Sequence, residues 1–514
     1  MLARAHSFSI EGVEARPVCV EVDIRSGLPS FNIVGLASSA VREARERVHA
    51  AILNSGFAFP RRRVTANLAP AHVEKEGAAF DLALACAVLV ASEQLPGDRL
   101  GRLALFAELG LGGELRPCLG ALAAAEGAQR ARRSALVVAP ADAGEAAQIG
   151  RGVCVCGLRS LGDVAALLGG VGVPRAIPSR SPASGLTSPA TPGSPDLADV
   201  RGQAQAIAAL SVAAAGGHHL LLIGPPGAGK TMLARRLPSI MPALRREEAI
   251  EVTKIHGLAG LHTGGTLVES RPFRAPHHTI SPAGLVGGGP HALPGEAVLA
   301  HRGVLFLDEL SEFARSSLES LRAPLEDGRV TIVRRQHAAV YPSRFMLVAA
   351  TNPCPCGFAG VGALCRCSEA DRVRHRGKLS GPLLDRIELI IDIRAPTPEE
   401  LRAPPPTASL RVRIRVERAR ARQSDRLRGT GVSCNAHLDL ATLRAHGAIE
   451  RGAEATLHSA YEAGALSARG HTRVLRVART IADLAESDTV AAEHVRAALE
   501  MHAAGRRRAG KDAA

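Results

Sequence analysis

The residues Gly224-Pro225-Pro226-Gly227-Ala228-Gly229-Lys230-Thr231 have the spacing of a loop that grips phosphate, and they directly follow the apolar run LLLI. Glycines let successive backbone N–H groups turn inward around phosphate oxygens, and the N-terminus of a following helix adds positive potential. On this reading Lys230 reaches the β- and γ-phosphates of ATP, and the Thr231 hydroxyl ligates Mg²⁺. Such a loop needs a carboxylate on a neighbouring strand. Val304-Leu-Phe-Leu-Asp308-Glu309 supplies two acids where four apolar residues end, Asp308 to hold Mg²⁺ through water and Glu309 to polarise the attacking water. ATP hydrolysis is the expected chemistry. One apolar run later, FMLVAATN ends in Asn352, either a turn former or a side chain that reaches the γ-phosphate. Arg386, after Ser-Gly-Pro at 380–382, is either a surface residue or a charge offered to a neighbour's γ-phosphate.

A second constellation is Cys354-Pro-Cys356, eight further residues, then Cys365-Arg-Cys367. Four thiolates within fourteen positions suit a closed tetrahedral Zn²⁺ site, which stabilises a loop without needing a core. A [4Fe–4S] cluster and free thiols are the alternatives, because C-x-C is tighter than C-x-x-C. The histidines 256, 262, 277, 278, 291 and 301 form no spacing that assigns them.

The elements that must position these residues follow from apolar patterning. LLLIG, GVLFLD and RFMLVAAT are buried strands separated by helical and glycine-rich segments, which implies a parallel sheet with helices on both faces. From about residue 397 the pattern becomes helical to the end. Before the phosphate loop, residues 173–198 are rich in Pro, Ser and Gly and read as a linker. Upstream, VCVEVDI, FNIVGL and RVTANLAP read as strands, and VREARERVHAAILNSG and FDLALACAVLVASEQL as helices, of a separate α/β or α+β domain. The expected division is 1–172, the linker 173–198, an ATPase core 199–396 and a helical domain 397–514.

With 514 residues the chain exceeds one hydrophobic core, and 46% hydrophobic against 22% charged residues excludes a disordered chain. The N-terminus lacks a secretory pattern and no run of eighteen apolar residues occurs, so a cytoplasmic protein without membrane spans is expected. A net charge of +14 suits a polyanionic partner, although an Arg-rich, Ala-rich composition produces the same excess without one. Aromatics at 3% disfavour base stacking, so any contact with DNA is expected to be with its backbone. Arg411, Arg413, Arg415, Arg418, Arg420 and Arg422 are candidates for that contact or for a solvated helix face.

Taken together, GPPGAGKT, RPFRAPHHTIS at 271–281, GEAVLAHRGVLFLDEL at 295–310, LVAATNPCPCG at 347–357, LSGPLLDRIEL at 379–389 and SARGHTRVLRVARTIADL at 467–484 resemble the YifB/ComM family of magnesium-chelatase-like AAA+ ATPases over nearly the whole length. The resemblance implies a homo-hexameric ring with ATP between subunits. It makes Asn352 the sensor-1 residue, Arg386 an arginine finger acting in trans, and Arg469 the sensor-2 arginine, with Arg473 and Arg476 as rivals. It places Gln203 in a turn near the adenine, and Arg329, Arg334 and Arg335 on a pore-lining hairpin. The first domain resembles the Lon-protease-like fold. The position of Lon's serine nucleophile falls on Ala79, so no peptidase substrate is expected. A DNA-translocating motor of the helicase or branch-migration type is the leading functional expectation, with a chelatase motor subunit and a protein remodeller as alternatives.

Overall fold

The computed structural model describes residues 1–35, 39–73, 75, 77–150, 152–171, 195–262, 265–289, 292–334, 337–360, 364–379, 381–404 and 407–503. The expected linker lies outside the described residues up to position 194, as do Glu74, Glu76, His291 and Arg335 and the side chain of Arg334. The chain packs as two compact units. The first gathers the described residues of Met1–Leu186, Arg245–Glu269 and Val333–Tyr341; the second gathers those of Thr187–Leu244, Ser270–Ile332 and Pro342–Ala514.

In the first unit, Leu2–Glu11 and Glu14–Arg25 pair antiparallel as a tight hairpin. Arg63–Ala69 joins the second strand antiparallel, and Ser30–Val34 joins Arg63–Ala69 parallel. Alternation sets one face inward: Val18, Val20, Val22 and Ile24 are buried, while their neighbours are partly open. Across that face lies Asp81–Ala91, a helix buried at all eleven residues, as the unbroken apolar run after Asp81 requires. A second sheet of Leu103–Leu105, Ala135–Val138 and Cys154–Gly157 is parallel throughout. The helix Arg246–Leu258 belongs to this unit although it follows the phosphate loop in sequence. Lys254, nearly buried, reaches Glu126 at 2.8 Å, and Arg246 donates to the Gln148 carbonyl at 2.6 Å.

The second unit is built on a five-stranded parallel sheet in the order Phe273–Arg274, Val304–Leu307, Met346–Thr351, Leu220–Ile223, Leu389–Asp392. The apolar runs are continuous because both faces are covered. Leu220, Leu222, Val304, Phe306, Val348 and Ala350 face one core, and Leu221, Leu305, Leu307, Leu347 and Ala349 face the other. Helices Ala204–Gly216, Lys230–Ile240, Ser409–Arg426 and Ala468–Leu484 supply the first core, so the C-terminal helices pack as part of the same unit as the sheet. A buried polar network ties them together. Arg426 grips both oxygens of Asp483 at 2.7 and 2.8 Å, and Arg479, fully buried, adds a third contact at 3.0 Å. Among the described residues, no helix is long and apolar enough to cross a membrane.

Candidate nucleotide site and four-cysteine knot

All five strands are parallel, so their carboxyl ends share one edge, where crossovers in an open sheet leave a crevice for ligands. The loop 224–231 leaves the strand Leu220–Ile223, an interior strand of the sheet, at that edge and enters the helix Lys230–Ile240. Gly229 takes φ +89° at the helix N-cap, a left-handed conformation that side chains resist. Lys230 Nζ donates to the carbonyls of Gly224 at 2.7 Å and Pro225 at 3.0 Å, and to Asn352 Oδ1 at 3.0 Å. Burial pushes the Lys230 ammonium pKa down, and the charges of Asp308 and Glu309 oppose that. Thr231 Oγ1 donates to Asp308 Oδ2 at 2.7 Å. Lys230, Thr231, Asp308 and Asn352 therefore meet at one place, from three adjacent strand ends.

Glu309 stands beside them, exposed, with φ +50°. A left-handed backbone at a non-glycine residue costs on the order of 1–3 kcal/mol, which surrounding structure must offset. Part of that structure is the backbone N–H of Glu309 donating to Asp308 Oδ1 at 3.0 Å. His278 Nδ1 lies 3.9 Å from Glu309 Oε2, with its ring against His277 and Phe313. Sequence reasoning left His278 unassigned, since its neighbour at Glu309 is 31 positions away. The same segment also carries structural residues: Arg271 donates to the carbonyls of Pro242 and Arg302, and Arg274 forms a two-pronged pair with Glu296 at 2.6 and 2.7 Å. Gln203 is buried, and its amide braces the phosphate loop from behind by donating to the carbonyls of Arg394 at 2.7 Å and Ala228 at 3.4 Å.

Arg386 and Arg469 lie elsewhere. With Arg473, Arg476, Asp385 and Glu388 they line a cleft of about 760 Å³, and among the described residues none of 224–231, Asp308, Glu309 or Asn352 lines it. Arg386 pairs with Glu326, and Arg473 approaches Asp385 at 3.7 Å. Burial, then the like charges of Arg322, Arg469 and Arg473, push the Arg386 guanidinium pKa down. Such a concentration of cations is relieved by an anion. Glu388, buried at the cleft wall, has its carboxyl pKa pushed up to about 7 by burial, against the pull of the His219 N–H and Arg476.

The four cysteine sulfurs converge, all within 4.8 Å of one another. Cys354 and Cys356 are 3.4 Å apart, Cys354 and Cys365 3.8 Å, and Cys356 and Cys365 3.7 Å. A tetrahedral Zn²⁺ with bonds of about 2.3 Å sets its sulfurs roughly 3.8 Å apart, so the set fits one ion. A [4Fe–4S] cluster seats each cysteine on a separate iron and spreads them wider. The Ala359 N–H and an Arg372 guanidinium donate to the Cys354 and Cys365 sulfurs at 3.3 and 3.5 Å, the outer contacts a thiolate–metal centre uses.

Of the six candidate arginines Arg411–Arg422 on the helix Ser409–Arg426, four are engaged within the unit. Arg413 pairs with Glu417, Arg418 with Glu486 and Arg422 with Asp488, and Arg420 donates to the Ala214 carbonyl. Arg411 and Arg415 are exposed. The strand Arg329–Arg334 and its partner His337–Pro342 form a two-stranded sheet, with Arg329 exposed.

In the first unit, Ala79 is buried in an apolar cluster with Phe8, Ala104, Phe106 and Ala121. Near it, Lys75 is fully buried and donates to the Pro70 carbonyl. Asp81 accepts from Arg47 at 2.7 and 3.1 Å; burial pushes its carboxyl pKa up to about 6 against that pairing.

Three family models match successive parts of the chain. Residues 20–142 match the one described as subunit ChlI of Mg-chelatase, 196–401 magnesium chelatase, subunit ChlI, and 406–502 the ChlI C-terminal region. The chain is similar to a protein of Mycobacterium tuberculosis, 45% identical over 99% of this chain and 100% of that one. YifB of Escherichia coli is 41% identical over 98% of both chains. The competence protein ComM of Haemophilus influenzae is 38% identical over 97% of both.

Proposed function

The chain belongs to the YifB/ComM family of magnesium-chelatase-like proteins, and on that premise we propose that it is a Mg²⁺-dependent AAA+ ATP hydrolase. The observation that carries the reading is the meeting of Lys230 with Asn352 and of Thr231 with Asp308 at the carboxyl edge of the parallel sheet. Lys230 grips the β- and γ-phosphates, exchanging its contact with Asn352 for phosphate oxygen. Thr231 and Asp308 are the hard oxygen donors that would hold Mg²⁺, which neutralises phosphate charge when bound. Glu309 takes the proton of the attacking water, and Asn352 orients that water. The cysteine knot is read as a structural Zn²⁺ site.

Arg386 lines a cleft that the phosphate loop does not share, which supports its acting as a finger on the nucleotide of a neighbouring copy, and Arg469, the sensor-2 candidate, lines the same cleft. From this comes the proposal of a homo-hexameric ring in the cytoplasm, with DNA as the translocated substrate of a helicase or branch-migration motor. The +14 charge and the exposed Arg329 favour DNA; the arginines of Ser409–Arg426 give little support, because most are engaged internally. The matches to chelatase models favour a second reading, a motor that drives metal insertion into a porphyrin. The first unit, with Ala79 packed in apolar side chains, is read as a binding or assembly platform without peptidase activity. ATP turnover of the purified chain with Mg²⁺ tests the core reading, and absence of both binding and turnover defeats it. Stimulation by forked or single-stranded DNA that weakens steeply with salt supports the motor. Stimulation only by a chelatase partner with porphyrin, or only by unfolded protein, replaces it.

A further inference from the structure

The knot is joined to the nucleotide site at both of its ends. Cys354 follows Asn352 by two positions, at the end of the strand Met346–Thr351. Cys367 leads directly into the helix Glu369–Gly377, capped by Ser368. That helix returns to the same asparagine, because buried His375 places Nε2 3.0 Å from the Asn352 carbonyl oxygen. Arg372, one turn earlier, donates to the Cys365 sulfur. Between the cysteine pairs, Gly357 takes φ +86°, and a Cβ there would stand 2.6 Å from Pro226 Cδ, so the knot lies directly against the phosphate loop. Asn352 is thus held by a closed circuit of strand, knot and helix, and its side chain in turn holds Lys230.

We propose that the knot is a zinc-dependent clamp that fixes Asn352 for catalysis, so that turnover follows occupancy by one tetrahedral, thiolate-bound Zn²⁺. This rests on the ATPase reading above. Without the ion, nothing covalent or coordinate joins Cys354 and Cys356 to Cys365 and Cys367. When the ion leaves, the sulfurs take up protons, their convergence loses the charge that held it, and the circuit opens. The phosphate loop itself contains no cysteine, so nucleotide is still gripped. The cysteines are positioning residues: they act on kcat through Asn352 and leave affinity for nucleotide largely alone.

The full chain is purified, its zinc measured by elemental analysis, and the zinc then stripped with a chelator and returned, with Mg²⁺ restored before each assay. Binding of a fluorescent ATP analogue, kcat and thermal unfolding are followed throughout. The clamp predicts one zinc per chain and at least a tenfold fall in kcat on stripping. Affinity for the analogue stays within threefold, and added Zn²⁺ restores turnover. Cys367→Ser should lose both zinc and turnover, whereas His375→Ala should keep zinc and lose turnover in part. Full turnover in the zinc-free chain or in zinc-retaining His375→Ala overturns the clamp, as does a native chain that carries no zinc or an iron–sulfur chromophore. A zinc-loaded native chain that neither binds nor splits ATP instead defeats the ATPase reading.

Discussion

At the phosphate loop Lys230 is half-buried and touches Asn352, Gly224 and Pro225, whereas in the first unit Lys75 is fully buried with its ammonium on the Pro70 carbonyl. The acids differ in the same way. Asp308 binds the Thr231 hydroxyl at the open edge of a sheet; Asp81 has both oxygens on Arg47 inside a core. Each region has a lysine, an acid and at least one glycine, yet only the phosphate loop presents polar groups that can trade their partners for a ligand. A charge in a core is committed, because removing its partner leaves it uncompensated at low dielectric. At a strand end the partners are hydroxyls, carbonyls and amides, which phosphate oxygens and a metal can replace. Composition does not separate the two segments; exchangeable contacts do.

Substitutions can break or sharpen that contrast. The largest effect is expected for Lys230→Ala, which should cut phosphate release roughly 10³-fold, as loss of a main transition-state contact does. Lys75→Met should leave turnover unchanged, and a comparable loss there would erase the distinction. Next comes Arg47→Ala, which strands Asp81 in the core and should destabilise the first unit by about 3 kcal/mol, read from its urea midpoint. Glu309→Gln should retain Mg-ATP in a binding assay while slowing hydrolysis about 10²-fold. The smallest effect concerns pH. Burial raises the Glu145 carboxyl from 4.5 to about 7 and Asp81 from 3.8 to about 6. These groups keep protons in the folded state that the unfolded chain has already released. Their contribution to the stability of the first unit should therefore be greatest below about pH 4 and decline as pH rises to about 7. Glu145→Gln should flatten the upper part of that decline, and urea midpoints at pH 4.5 and 7.5 that do not differ would remove these acids from the account.

The phosphate loop, Asp308 and Asn352 were legible because each is a short local pattern at the end of an apolar run, and a parallel sheet necessarily brings strand ends together. The cysteine knot was legible for the same reason: its sulfurs span fourteen positions. Other features depend on partners far away in the chain. Arg418 and Arg422 resemble a basic stripe until Glu486 and Asp488, 68 and 66 residues later, are packed beside them. What holds Gln203 is equally distant: its amide lies on the carbonyl of Arg394, 191 positions away.

Sequence alone therefore determined the chemistry available: a glycine-rich loop with phosphate-gripping spacing, two acids on one strand end, four thiols in a short loop and no serine at position 79. Only the tertiary structure decided which charges are exchangeable and which are committed. It set His278 near Glu309, gathered Arg386 with Arg469 away from the phosphate loop, and led the helix after the cysteines back to Asn352. The reason is range. Backbone hydrogen bonding and apolar periodicity act over a few residues and can be read along the chain, whereas burial and charge pairing are fixed by which distant segments share a core.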